Sequence, residues 1–109
     1  MKIPESVRIG GVEYAVNFVD HLSHGATLAY GHISWDDSVI ELSGTVGTSH
    51  QKRCTTLWHE IIHGIVEHAN IDITNSDEEA IVDTIAKGVY QVLQDNGARF
   101  FDLKDGEQK

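Results

Sequence analysis

From Val12 to Phe18 the chain alternates, with Val12, Tyr14, Val16 and Phe18 set against Glu13, Ala15 and Asn17. A period of two marks a strand with one buried face. A shorter extended piece, "VRI", precedes Gly10-Gly11, so the two pieces are expected to form a hairpin. The segment "HLSHGAT" reads as a loop, after which "LAYGHISW" and "VIEL" flank "DDS". The polar turn chemistry of "DDS" predicts a second hairpin. Three to four antiparallel strands, a short meander, are therefore expected within residues 5–43.

The segment "SGTVGTSHQ" ends this pattern, and from about Ser49 the period becomes helical. At 100° per residue, Cys54, Leu57, Trp58, Ile61, Ile62, Ile65, Val66 and Ala69 form one broad apolar arc. A helix is predicted over about 49–70, then the polar linker "NIDITNS" and a second helix over about 77–95 that stops at "DNG". The second helix carries Ile81, Val82, Ile85, Val89, Val92 and Leu93 on its apolar side. A short tail, "ARFFDLKDGEQK", offers Phe100 and Phe101 for docking on the domain or on a partner. Strands followed by helices predict an α+β fold, and 109 residues fit a single domain, 1–109.

Composition narrows the function classes. No apolar run approaches the roughly 20 residues that a membrane helix needs. The start, "MKIPESVRIGG", lacks the apolar core of a signal peptide, and Cys54 is the single cysteine. A cytoplasmic protein without disulfides is expected, and a multi-cysteine zinc finger is excluded. The formal charge of −9, from 17 acidic and 8 basic residues, argues against nucleic acid as a partner and weakens a metal-dependent nuclease. Oligomeric state is not legible.

The predicted first helix contains "LWHEIIHGIVEH", with H-E-x-x-H at residues 59–63. Three fixed positions occur by chance in a chain this long on the order of one time in a hundred. His59 and His63 lie one turn apart on one helical face beside the apolar arc, so their imidazoles can converge on a zinc ion with little reorganisation. Glu60 projects next to them as a general base toward water. Catalytic zinc normally has three protein ligands and an open position. The third ligand must come from elsewhere in the chain.

The metzincin pattern would require His at position 69 and Gly at 66, where this chain has Ala69 and Val66. His68 points roughly 140° away from His63 around the helix. The second helix offers Glu79 and Asp83 at i and i+4 in "SDEEAIVD". H-E-x-x-H on one helix and E-x-x-x-D on the next resembles the gluzincins, of which thermolysin is the familiar member. The resemblance implies a zincin-like fold with His59, His63 and Glu79 as zinc ligands and Glu60 as general base. It also implies that Asp83 holds a liganding imidazole in its tautomer.

Only 16 residues separate His63 from Glu79, which suggests a minimal version of that fold. Over roughly residues 7–97 the chain also resembles small phage- and prophage-encoded proteins related to the ImmA/IrrE-type metallopeptidases. Strands come first, then the H-E-x-x-H helix, then a helix opening with "EE" and running through "IVDTIAKG". That likeness implies a zinc-dependent metallopeptidase acting on a protein or peptide substrate. In zincins of this shape the substrate usually adds as an antiparallel strand, here to "LAYGHISW" or "VIEL".

Other readings stand beside these. Ser76-x-x-Glu79 is also a capping box, in which Glu79 would serve the backbone rather than a metal. Glu78 and Asp83 are rival third ligands. An oxyanion-stabilising donor is not evident: Tyr90 falls about 16 Å along the helix from Glu79, and His32, Tyr30 and His68 are the remaining candidates. His21, His24 and His50 read as loop histidines, and Cys54 as core. The alternative function is a zinc-bearing phage accessory or regulatory interaction protein without peptidase activity.

Overall fold

A computed structural model describes residues 1–20, 22–24, 27–28, 30–45, 47–73 and 77–101. Strand β1, Ser6–Ile9, pairs antiparallel with β2, Val12–Val19, across Gly10 and Gly11. Both glycines have positive φ, 58° and 82°, as a tight two-residue hairpin turn demands. The short strands β3, Ser23–His24, and β4, Thr27–Leu28, pair with each other in a separate two-stranded sheet. β5, Gly31–Ser34, and β6, Val39–Ser43, form the second hairpin around "DDS".

The main sheet has the order β1-β2-β6-β5. Its outer pairs are antiparallel as expected, but the central pair is parallel, with Ala15 opposite Val39 and Val19 opposite Ser43. The expected antiparallel meander is thus a mixed sheet. The chain between β2 and β6 crosses over and returns through β5, which is an edge of the sheet with no further partner among the described strands.

Helix α1 spans His50–Ala69. Ser49 caps it by accepting from the Lys52 N–H at 3.0 Å, and Asn70, in the left-handed region at φ 56°, ends it. Cys54, Leu57, Ile61 and Gly64 are buried at i, i+3, i+7 and i+10, a stripe that meets the sheet. The core combines Ile9, Tyr14, Val16, Ile33, Ile40 and Leu42 of the sheet with Leu57 and Ile61 of α1. Gly64 permits the close approach, since a Cβ there would sit 3.0 Å from the Ile9 side chain and 3.3 Å from Ile33. The apolar arc is narrower than the periodicity suggests, and Ile65 is exposed.

Helix α2 spans Glu78–Phe101 and, among the described elements, packs on α1 and not on the sheet. One neighbour can cover only one stripe, so Val82 and Ala86 are buried while Ile81, Ile85 and Val92 stay exposed. The expected stop at "DNG" does not occur. Asn96 donates its side-chain amide to the Val92 carbonyl at 3.0 Å and accepts from Arg99 at 3.3 Å, and the helix runs on to Phe101. Fold class is α+β, a sheet followed by two helices. No helix among the described residues is long and apolar enough to cross a membrane.

Candidate metal centre

α1 and α2 run antiparallel, which brings the first turns of α2 against the middle of α1. Asp77 starts α2 by accepting from the Ala80 N–H at 3.1 Å. Ser76, the expected cap, lies outside the described residues. The Glu79 carboxylate lies against the histidines of α1, with Oε2 3.1 Å from His59 Nε2 and Oε1 2.6 Å from His63 Nε2. The two Nε2 atoms are 3.1 Å apart. One ligand atom from each of His59, His63 and Glu79 falls within 4.8 Å of the others, and this group can hold a metal ion.

The far sides of both rings meet carboxylates. His63 Nδ1 is 3.0 Å from Glu78 Oε2, and His59 Nδ1 is a longer 3.4 Å from Asp83 Oδ1. A carboxylate accepts, so an Nδ1 proton donated to it would leave the Nε2 lone pair of that ring free to ligate a metal. The two Nε2 atoms and the Glu79 carboxylate face one small volume, which a cation between them would stabilise. Two ligands about 2.0–2.1 Å from a tetrahedral ion lie roughly 3.3 Å apart; the two 3.1 Å spacings are close to this, while the 2.6 Å between His63 Nε2 and Glu79 Oε1 is shorter. The donor set therefore fits a metal of the N,N,O class. Glu78 serves His63 from behind, at the nitrogen facing away from the cluster, rather than joining Glu79 among the converging atoms.

Lys87 lies one turn beyond Asp83 and contacts its Oδ2 at 2.8 Å. That ammonium, with a smaller contribution from His59 and against partial burial, holds the Asp83 carboxyl below its ordinary pKa. The carboxylate that orients His59 is thereby kept ionised.

These groups open into a cleft of about 570 Å³ between β5, α1 and α2. Glu60 lines it and is itself buried, 7 % exposed. Gly31 of β5 crosses directly over this part of α1. A Cβ there would lie 2.5 Å from Thr56 Cγ2 and 3.3 Å from Glu60 Oε2. Glycine thus lets the edge strand approach the helix that carries the candidate base.

Of the candidate oxyanion donors, Tyr30 and His32 line the cleft, His32 with its Nδ1 3.9 Å from Glu41. His68 does not line it, because its Nε2 is 2.8 Å from the buried Tyr14 hydroxyl. Tyr90 borders a neighbouring groove. His50 belongs to α1, with Nε2 3.3 Å from the Cys54 sulfur. Burial pushes the Cys54 thiol upward against the opposing pull of the amino terminus, which suits a core residue better than a nucleophile. His21 lies outside the described residues.

Several cleft residues were not singled out from the sequence. Lys52 is one, and its position seven residues before His59 places it on the same helical face. Lys87, at i+4 from Asp83, is another. Gly31 and Trp35 belong here only because β5 is the sheet edge nearest α1, which no local pattern reveals. No protein family, curated protein or solved structure matches the chain.

Proposed function

We propose that this protein is a minimal, gluzincin-like zinc metallopeptidase that hydrolyses peptide bonds of a protein or peptide substrate in the bacterial cytoplasm. The convergence of His59 Nε2, His63 Nε2 and Glu79 in an open cleft, each ring backed by a carboxylate, carries the reading. Zinc bound there supplies a Lewis acid that polarises a carbonyl and acidifies water. Glu60 stands in the same cleft as the general base, taking a proton from the attacking water and returning it to the departing amine. Glu78 and Asp83 hold the imidazoles in the tautomer that ligation needs. The edge position of β5 supports substrate binding by strand addition along the cleft. Tyr30 and His32 line the cleft and are its candidates for serving an oxyanion.

The test is Glu60→Gln. Its cleavage of a casein-type or peptide-library substrate should fall by at least about 10²-fold, the usual size of a lost general base, while bound zinc is unchanged. Full cleavage by the variant would refute the assignment. The exposed apolar positions Ile81, Ile85 and Val92 of α2 favour one alternative, a zinc-bearing phage accessory or regulatory protein that works by binding. Such a protein would bind its partner equally well with Gln at position 60.

A further inference from the structure

The cleft is electrically polarised along its length. β5 runs beside α1 in the same direction: Gly31 lies over Thr56 and Glu60, Ile33 reaches Gly64, and Trp35 borders the groove of His63 and Glu67. α2 runs the opposite way, with Glu78 against His63 and Asp83 against His59. Lys87 therefore falls at the same end as Lys52, beside Tyr30 and Thr55. The chain has only 8 Lys and Arg residues against 17 acids, and two of the eight meet here.

The Lys52 ammonium sits 4.4 Å from the centre of the Tyr30 ring and has no carboxylate partner among the described residues. Lys87 is partly neutralised by Asp83, and Asp95, which borders the adjoining groove, is engaged by Gln91 at 2.7 Å. Past His63 the groove continues between Trp35, Ile71 and Ile73 with Glu67, Asp72 and Glu78. One end of the cleft thus presents cations, and the other presents carboxylates with apolar surface.

We propose that this cleft selects extended peptides by charge, taking acidic side chains C-terminal to the scissile bond and basic or apolar side chains N-terminal to it. The proposal rests on the peptidase reading. Its direction follows from β5, whose edge position admits one more strand and favours the more stable antiparallel pairing. An antiparallel peptide places its C-terminal half at Gly31, near Lys52 and Lys87, and its N-terminal half at Trp35, near Glu67 and Glu78. Each exposed charge contact is worth up to roughly a fivefold change, so the two ends together give about five- to twentyfold.

Two quenched fluorescent peptides with the same central residues test this, one basic then acidic from N to C, the other with the charged blocks exchanged. kcat/KM is measured on the zinc-loaded wild type, and affinity by anisotropy on zinc-loaded Glu60→Gln. The basic-then-acidic peptide should be preferred about five- to twentyfold at low salt, with the preference fading at about 0.5 M salt. Lys52→Glu should cancel or reverse that ratio, whatever its effect on overall rate. Equal affinities, preference for the exchanged order, a ratio indifferent to Lys52→Glu, or binding of neither peptide would overturn the proposal. Preferential binding to Glu60→Gln without any cleavage by the wild type would support the charge selection and refute the peptidase reading alone.

Discussion

Gly31→Ala probes the approach of β5 to α1 and so the placement of Glu60. The new methyl would sit 2.5 Å from Thr56 Cγ2, about 1 Å inside ordinary carbon contact, with the Glu41 carbonyl oxygen at 3.4 Å on another side. Overpacking of this kind costs about 1–3 kcal/mol. Gly31 is not in the left-handed region, so alanine meets no backbone strain and recovers about 0.4–1 kcal/mol from the less flexible unfolded chain. The net loss should be about 1–2 kcal/mol, or roughly 5–15 °C in Tm for a domain of this size. Thr56→Ser removes the obstructing methyl and should alone cost about 0.8 kcal/mol. Thermal and urea melts of the four proteins form a cycle, in which the double variant should be more stable than the sum of the singles by about 1 kcal/mol or more. The cleavage proposed for the wild type should be reduced in Gly31→Ala and stay reduced in the double variant, because the added Cβ still presses at 3.3 Å on Glu60 Oε2. Additive losses in the cycle would mean that β5 does not cross α1 at Thr56, and the cleft geometry would be wrong.

The carboxylates behind the rings should matter for affinity rather than stoichiometry: Glu78→Gln and Asp83→Asn should each weaken zinc binding about 10–100-fold in chelator competition while still binding one ion. Tyr14 is buried, and burial, helped by Glu67, raises its hydroxyl pKa above the ordinary value. Its contribution to stability is fully present below the unfolded pKa of about 10 and is lost as pH rises through the folded one. Tyr14→Phe should therefore flatten the alkaline fall in stability seen in urea melts between about pH 9 and 11. It should also cost about 0.5–1.5 kcal/mol at neutral pH through the lost His68 contact.

The parts legible in the sequence are those set by local spacing. His59, Glu60 and His63 share one region of α1 because i and i+4 are one turn apart, and the Gly10-Gly11 turn required no distant information. Glu79 is legible through its resemblance to a known helix pair, whereas the competing capping box is a local pattern that the sequence offers equally, and it is Asp77 that accepts from the first turn of α2. Glu78 was ambiguous because one residue of α2 turns the side chain by 100°, and only the docking of α2 on α1 decides which ring nitrogen it meets. The parallel pairing of β2 with β6 depends on a crossover rather than on alternation, so an antiparallel meander was the simpler expectation. Ile81 and Ile85 read as core because α2 is apolar there, but a helix resting on a single neighbour buries only a narrow stripe. Lys52 and Lys87 carry no motif, and their placement at one end of the cleft is a product of chain direction in three elements.

Zinc stoichiometry of tag-free protein, measured by equilibrium dialysis and elemental analysis for the wild type beside Glu79→Ala, tests the central claim most directly. The account predicts about one zinc per wild-type chain and, in the variant, an affinity lowered by more than the roughly 10–100-fold that an outer carboxylate is worth. A wild type that binds no zinc, or a Glu79→Ala variant that binds it equally tightly, would contradict a metal centre built from His59, His63 and Glu79.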